Sequence, residues 1–374
     1  MVKKIAVCFC AFFLICIGIG YVLYQPVQVK KTYFSNGKVQ SAIMYKNDKR
    51  DGVAKHYYDN GNLRLEIPYV EDRIDGVFKQ YFSNGNLMMV FVRKDDKTEG
   101  TLKEYHENGN LKYEEHYIND LLTGVAKEFY PSGLLKQETT YQDGFKTGKE
   151  TIYYENGRVK EEAFYTKDRL NGERKTYFSK GGIKTVMSFV DDKLEGSAKM
   201  YYEDEKLQAE FPYKNGILEG VASEYDNLGN LLATYTFLNN QKNGVSKAYD
   251  KNGKVIIEMV YKNGVLDGVA KEYFENGNIH SEIPYVNNKK NGVAKVYYED
   301  GNLSKTVTFQ DNQFQGPVKT FLRDGTLMME VMFDKGRIVD GFSYQTGKKE
   351  LLDDKELERL RALKDVLFYE RGKN

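Results

Sequence analysis

Few residues in this 374-residue chain have the type and spacing that chemistry requires. The four histidines, His56, His106, His116 and His280, include no pair spaced like a metal site or an acid–base pair. His106 and His116 fall close enough to face each other in one hairpin, but His106 stands where tyrosine stands in similar segments, such as Tyr58 and Tyr154. The three cysteines, Cys8, Cys10 and Cys16, are confined to an apolar N-terminal stretch. Disulfide scaffolds, thiolate metal sites and cysteine nucleophiles are therefore excluded from everything after it. There is no Gly-x-Ser-x-Gly elbow, no phosphate-binding loop and no His-Glu-x-x-His. The turn Asp250-Lys-Asn252-Gly253 resembles the opening of a calcium loop but lacks the further oxygen ligands and the closing glutamate, so it reads as a turn. No catalytic residue, cofactor site or metal site is expected, and the chain reads as a non-enzyme.

The residues best suited to contact a partner are aromatic. Phe34, Tyr58, Phe82, Tyr130, Tyr154, Phe178, Tyr202, Phe274 and Tyr298 are each the second ring of a Tyr-Tyr, Tyr-Phe or Phe-Tyr pair. Alternation along a strand would turn them to the face opposite the first ring. Such a row suits an extended ligand such as a glycan, a lipid surface or a protein strand. It would equally serve to shield a sheet that has only one layer.

These rings are placed by a repeat of 24 residues. Gly52, Gly76, Gly100, Gly124 and so on to Gly316 keep that step without a slip. A second comb, Gly37, Gly61, Gly85 and so on to Gly325, shares the period, with Glu205 the one substitution. Four residues before each glycine of the second comb stands an aromatic, as in Tyr57 and Tyr81, and two after it an aliphatic, as in Leu63 and Leu87. A further ring column, Tyr45, Tyr69, Tyr117 and onward to Phe333, is broken by Arg93. The aromatic and aliphatic columns are expected to form the core and share one face, with charged residues on the other.

The unit Gly268 to Gly292 then reads as a strand of about six residues, an Asn-Gly turn, a strand of about eight and a second polar turn ending in glycine. Asparagine and glycine both tolerate the positive φ that a tight hairpin needs. With a four-residue turn, Lys55 falls opposite Glu66, and the pairing recurs along the array. The lysine column reads either as a charged binding track or as a solvated face in register. Pro68, Pro212 and Pro284 mark a bulge or an unpaired position in the second strand. One hairpin cannot bury its own face, so units must stack. The expected fold is all-β: an elongated single-layer antiparallel β-hairpin solenoid of about thirteen units over residues 31–341, after a short linker at 25–30. A C-terminal capping region, 342–374, carries a helix at 353–369 with Asp353 or Asp354 as N-cap and Leu357, Leu360, Leu363, Val366 and Leu367 on one face.

Lys3 and Lys4 precede an uncharged run from Ile5 to Tyr24, long enough at about 1.5 Å per residue to cross a bilayer core of roughly 30 Å. Gly18 and Gly20 also suit a signal-peptidase cut. Residues 1–24 are thus a signal peptide or a membrane anchor, and both place the rest in the cell envelope, in the periplasm or at the surface, or in the medium. The 55 Lys+Arg against 54 Asp+Glu leave +1, without the basic surplus of a nucleic-acid binder.

The segment Tyr153 to Glu162, Tyr-Tyr-Glu-Asn-Gly-Arg-Val-Lys-Glu-Glu, resembles the bacterial variant of the MORN repeat, as do Tyr57-Tyr-Asp-Asn-Gly-Asn-Leu63 and Tyr297-Tyr-Glu-Asp-Gly-Asn-Leu303. The resemblance covers nearly all of residues 31–341 and departs at Arg93, Glu205, Asp226 and Asp250. It implies a sheet of hairpins with a non-catalytic binding or scaffold role toward an unknown protein, glycan or lipid surface, and no nucleic acid. Proteins of this kind are often filed as toxin–antitoxin antitoxin components, a role that fits poorly with an export segment. Classical MORN arrays are linked to membranes, lipids and scaffolding.

Overall fold

The computed structural model describes residues 27–344 and 347–362. The apolar N-terminal segment and positions 363–369 of the expected helix lie outside them. The described residues hold 36 strands and one helix, Asp354–Ala362, and the strand pairings are antiparallel. By internal contacts the chain divides into two units. The first comprises the described residues up to Glu173 with Ser179–Gly181, and the second Arg174–Phe178 with the described residues from Gly182 onward.

In the first unit, Gly52–Tyr57 pairs with Leu63–Val70 and Gly76–Tyr81 with Leu87–Lys94, so the strand lengths match the sequence reading. Lys55 lies opposite Glu66 as expected. In the second unit, Gly244–Tyr249 with Val255–Lys262 and Gly268–Tyr273 with Ile279–Val286 repeat the register, Lys271 facing Glu282.

The two turns differ from expectation in a connected way. The Asn-Gly turn is a broad loop: the Tyr58 amide donates to the Asn62 carbonyl at 2.8 Å and the Gly61 amide to the Tyr58 carbonyl at 2.9 Å. Gly61 takes φ +95°, whereas Asn60 keeps negative φ and uses its side chain. The tight two-residue turn is the other one. Between Val70 and Arg73, which pair, Glu71 and Asp72 take φ of 46° and 70°. This is the doubly left-handed geometry whose twist matches the flanking strands.

The glycines of the first comb therefore do not end turns; they sit at bulges. The strand Leu63–Val70 pairs with the next hairpin at Leu65↔Gln80 and Glu66↔Lys79, then with Arg73–Ile74 at Tyr69↔Ile74, and the register slips in between. Pro68 lies in that gap, where no ladder bond is lost, as the proline column foretold. Gly268 shows why glycine is required: its φ is +142°, and a Cβ there would stand 2.7 Å from the Val260 Cβ.

Burial corrects the expected core. The first-ring and aliphatic columns, such as Tyr57 and Leu63, are half-buried. The most closed positions lie two after glycines of the first comb where that residue is small: Ala54, Ala198, Ala222 and Ala294 are at most 5% exposed. Flanking strands stand close enough for neighbouring side chains to close over a methyl group, but not over a phenol ring. Faces are also divided differently. Tyr81 donates its hydroxyl hydrogen to Glu66 at 3.0 Å, which puts the first ring on the Lys–Glu face. Tyr69, opposite Gly52, shares the other face with Ala54 and Ile67.

Among the described residues, a conventional core forms toward the C-terminal end of the second unit. There Val307, Phe309, Val318, Val331, Phe333 and Ile338 are buried with Leu352 and Leu357. Burying side chains of this size contributes about 1.5–3 kcal/mol each. The helix docks through Leu357, with Leu360 beside it, and a Cβ on Gly341 would meet Leu352 at 2.7 Å. Asp353 is the N-cap: its carboxylate accepts from the Glu356 amide at 2.8 Å, and Glu356 accepts from the Asp353 amide at 2.9 Å.

Candidate interaction surface

Each hairpin is fastened to the next by side chains that reach backbone. Tyr58 donates its hydroxyl to the Tyr81 carbonyl at 2.8 Å, and Tyr130 to that of Tyr153 at 2.8 Å. In the second unit Tyr202 reaches the Tyr225 carbonyl at 2.8 Å and Tyr298 that of Phe321 at 2.7 Å. His106 occupies the same column and its Nε2 lies 3.0 Å from the Phe129 carbonyl oxygen, so it replaces a tyrosine in kind. His116 sits instead opposite Thr101 and Thr123, so the two histidines do not meet.

All nine second-position rings, Phe34, Tyr58, Phe82, Tyr130, Tyr154, Phe178, Tyr202, Phe274 and Tyr298, are half-buried. The side chain six residues onward covers several of them. Lys136 lies over Tyr130 at 6.0 Å, Lys160 over Tyr154 at 5.9 Å and Lys184 over Phe178 at 5.9 Å, and His280 packs edge-on against Phe274 at 4.6 Å. What these rings leave open are shallow grooves. One in the first unit is lined by Phe34, Thr32, Gln40, Ser41, His56, Tyr57 and Arg64. Another in the second unit, at the same repeat column, is lined by Tyr202, Met200, Gln208, Ala209, Phe211, Glu224, Tyr225 and Leu232. Burial, with Arg64 nearby, lowers the His56 pKa and favours its neutral ring.

The sequence reading missed two columns. Asp72 Oδ1 accepts from the Arg50 amide at 2.9 Å while the Asp72 amide donates to the Arg50 carbonyl at 2.9 Å. Asp96 with Ile74, Asp120 with Thr98, and Asn288 with Leu266 repeat the pattern. The run of Asp, Asn or Gly at every 24th position was the available signal. The second column is valine. Val53, Val77 and Val125 in the first unit, and Val221, Val245, Val269 and Val293 in the second, are 39–56% exposed beside the Lys–Glu face.

The departures from the repeat keep its geometry. Glu205 takes φ 67° in place of glycine. Asp226 accepts from the amides of Leu228 and Asn230 at 2.9 and 2.8 Å, and Asp250 from those of Asn252 and Lys254 at 2.8 and 2.9 Å. These bonds hold both carboxylates below the usual range, the largest cause being the Asn230 side chain for Asp226 and the Lys254 amide for Asp250. The most irregular constellation surrounds Glu150, 4% exposed in the column that holds Ala54, Ala198, Ala222 and Ala294. Lys146 donates to it at 2.6 Å, Gln137 at 2.8 Å, Thr139 at 3.1 Å and Tyr165 at 3.2 Å. Burial opposes the Lys146 charge, but the Glu150 bond and charge outweigh it and its pKa rises. The carboxylate is fully engaged and closed over, an arrangement that stabilises a hairpin and offers a substrate no access.

No curated protein matches the chain. Among solved structures it is similar to a crystal structure of TcdB2-TccC3, at 11% identity over 87% of this chain and 26% of that one, with a TM-score of 0.15. It is similar also to TcdB2-TccC3-Cdc42, at 12% identity over 87% and 23%, with a TM-score of 0.14. The chain spans about a quarter of the length of these solved chains, and likeness of this degree carries no argument. The family model described as MORN repeat variant matches ten segments: 29–47, 50–71, 74–91, 98–119, 122–143, 146–167, 194–215, 242–263, 266–287 and 290–311. The hairpin Gly220–Tyr225 with Leu231–Leu238, outside those segments, keeps the same register. More than half of the chain is matched, and the chain belongs to the MORN repeat variant family.

Proposed function

We propose that this chain is an exported binding array, anchored in a membrane through residues 5–24 or secreted after their removal, that engages an extended protein, glycan or lipid surface and catalyses nothing. MORN repeats are generally binding and scaffold repeats, and the family is typically non-catalytic. The observation that carries the reading is the recurrence of one shallow aromatic groove at one repeat column, beside Phe34 and beside Tyr202. A periodic ligand would meet the same chemistry at the repeats that carry this groove, and weak contacts add by linkage.

The test is photocrosslinking in the source organism from residues placed at Tyr202 and, as a control on the same unit, at Leu228, which is 73% exposed at a turn tip. Discrete high-mass adducts from Tyr202, absent from Leu228, support the array. Equal, diffuse labelling from both contradicts it. One stoichiometric cytosolic protein adduct would instead favour a toxin-neutralising role.

A further inference from the structure

Among the described residues, the second unit ends in a covered strand and the first unit begins with an uncovered one. In the second unit, strand Arg337–Ser343 is paired by Glu350–Leu351, and the helix Asp354–Ala362 packs beside them. In the first unit the outermost described strand, Gln28–Tyr33, pairs on one side with Val39–Lys46 and has no second partner among the described residues. All six of its residues are exposed. An unpaired strand edge is a template for another strand.

This edge also lacks a specific charge. In later hairpins the lysine three after a first-comb glycine faces the preceding hairpin's second strand, as Lys79 faces Glu66 and Lys271 faces Glu258. The ring two residues later then donates to the same carboxylate, Tyr81 to Glu66 at 3.0 Å and Tyr273 to Glu258 at 2.9 Å. Lys31 and Tyr33 are the corresponding pair on the open strand. Within its own hairpin Lys31 faces Ala42, whereas Lys55 faces Glu66 and Lys271 faces Glu282, and Tyr33 is 59% exposed. The 26 residues ahead of Val27 contain no aspartate or glutamate.

We propose that Gln28–Tyr33 is a docking edge for an extended acidic segment of a partner protein, which adds as an antiparallel strand with a carboxylate opposite Lys31 and within reach of the Tyr33 hydroxyl. Lys30 and Lys31 disfavour a second copy of the same edge, because like charges would face each other. Thr32 of this strand also lines the groove beside Phe34, whereas the docking uses the strand's backbone edge with Lys31 and Tyr33.

The full chain in mild detergent is titrated with a labelled peptide of residues 255–262, Val-Ile-Ile-Glu-Met-Val-Tyr-Lys, whose strand fills the equivalent place in the second unit. Saturable binding is expected, weakened about threefold to tenfold when the peptide glutamate becomes lysine. Lys31→Glu should reverse that preference, and this rescue excludes misfolding as the cause. A peptide N-methylated at alternate amides should not bind. Binding that ignores the peptide charge, binding that survives N-methylation, an absence of saturable binding, or self-association that blocks the peptide would each overturn the proposal.

Discussion

Tyr81 donates its hydroxyl hydrogen to Glu66 Oε2 across 3.0 Å, and this bond joins one hairpin to the hairpin before it. The same carboxylate receives Lys55 from its own hairpin at 3.3 Å and Lys79 from the next at 3.8 Å. Tyr153 with Glu138, Tyr273 with Glu258 and Tyr297 with Glu282 repeat it at 3.1, 2.9 and 2.8 Å. The glutamate column thus serves as a joint between units. Tyr81→Phe should cost about 1 kcal/mol and Glu66→Ala about 2 kcal/mol in urea denaturation, since the alanine leaves a phenol and two ammonium groups without their acceptor. The double variant should cost clearly less than the sum. Strict additivity would show that the bond does not couple the hairpins.

Acid should loosen the array. The Lys247 hydrogen bond, followed by that of Tyr273, outweighs burial and lowers the Glu258 pKa, while backbone amides hold Asp72, Asp120 and Asp300 low. A carboxylate with a depressed folded-state pKa contributes stability above its ordinary value, and that stability is lost as pH falls through the folded value. The melting temperature should therefore drop as pH falls below the ordinary carboxylate values of about 4. Glu258→Gln should flatten the curve. In base the sign is reversed: burial and the Glu258 bond raise the Tyr273 pKa to about 12, so stability should decline above the ordinary tyrosine value of about 10.

The alanine column should resist enlargement and the valine row should accept it. Ala222, 0% exposed, and Val221, 56% exposed, are sequence neighbours on opposite faces. Ala222→Leu should cost about 1–3 kcal/mol through overpacking. Val221→Leu should change stability by less than about 0.5 kcal/mol. A similar cost for the two would mean that the column is not closed.

The two glycine combs should also separate on substitution. Gly268→Ala combines φ +142° with a 2.7 Å approach to Val260 and should lower the melting temperature more than Gly253→Asn, where φ is +78° and no atom stands within 4 Å of a new Cβ. Glu205 already occupies the second comb at φ 67°. Asparagine in the left-handed region should cost no more than about 1 kcal/mol.

Most of the hairpin register was readable because the repeat writes it many times over: a four-residue turn puts Lys55 opposite Glu66, and the strands reach that facing through a five-residue loop and a register shift between His56 and Tyr57. What stayed hidden depends on neighbours in the next unit rather than on the strand itself. The Asn-Gly signal suggested the tight turn, yet the doubly left-handed pair is Glu71–Asp72, whose asparagine or aspartate member bonds 22 residues back. Ring columns suggested the core because aromatic residues carry the most apolar area; Phe309 and Phe333 are buried in the second unit, but elsewhere deep burial went to Ala54 and Ala222, where strand spacing decides. The nine second rings were legible as a row, while the bonds that hold Tyr58 and Tyr202 to the following repeat were not.

The central claim, an exported binding array, is tested most directly by where its surface resides. The native thiols are Cys8, Cys10 and Cys16, so Val245→Cys, at a side chain 41% exposed, places one reactive thiol on the array. Intact cells of the source organism are treated with a small maleimide that does not cross the cytoplasmic membrane. Labelling of the Val245→Cys variant in intact cells, with none of the unsubstituted chain, is the predicted result. Labelling that appears only after the cytoplasmic membrane is broken would contradict export.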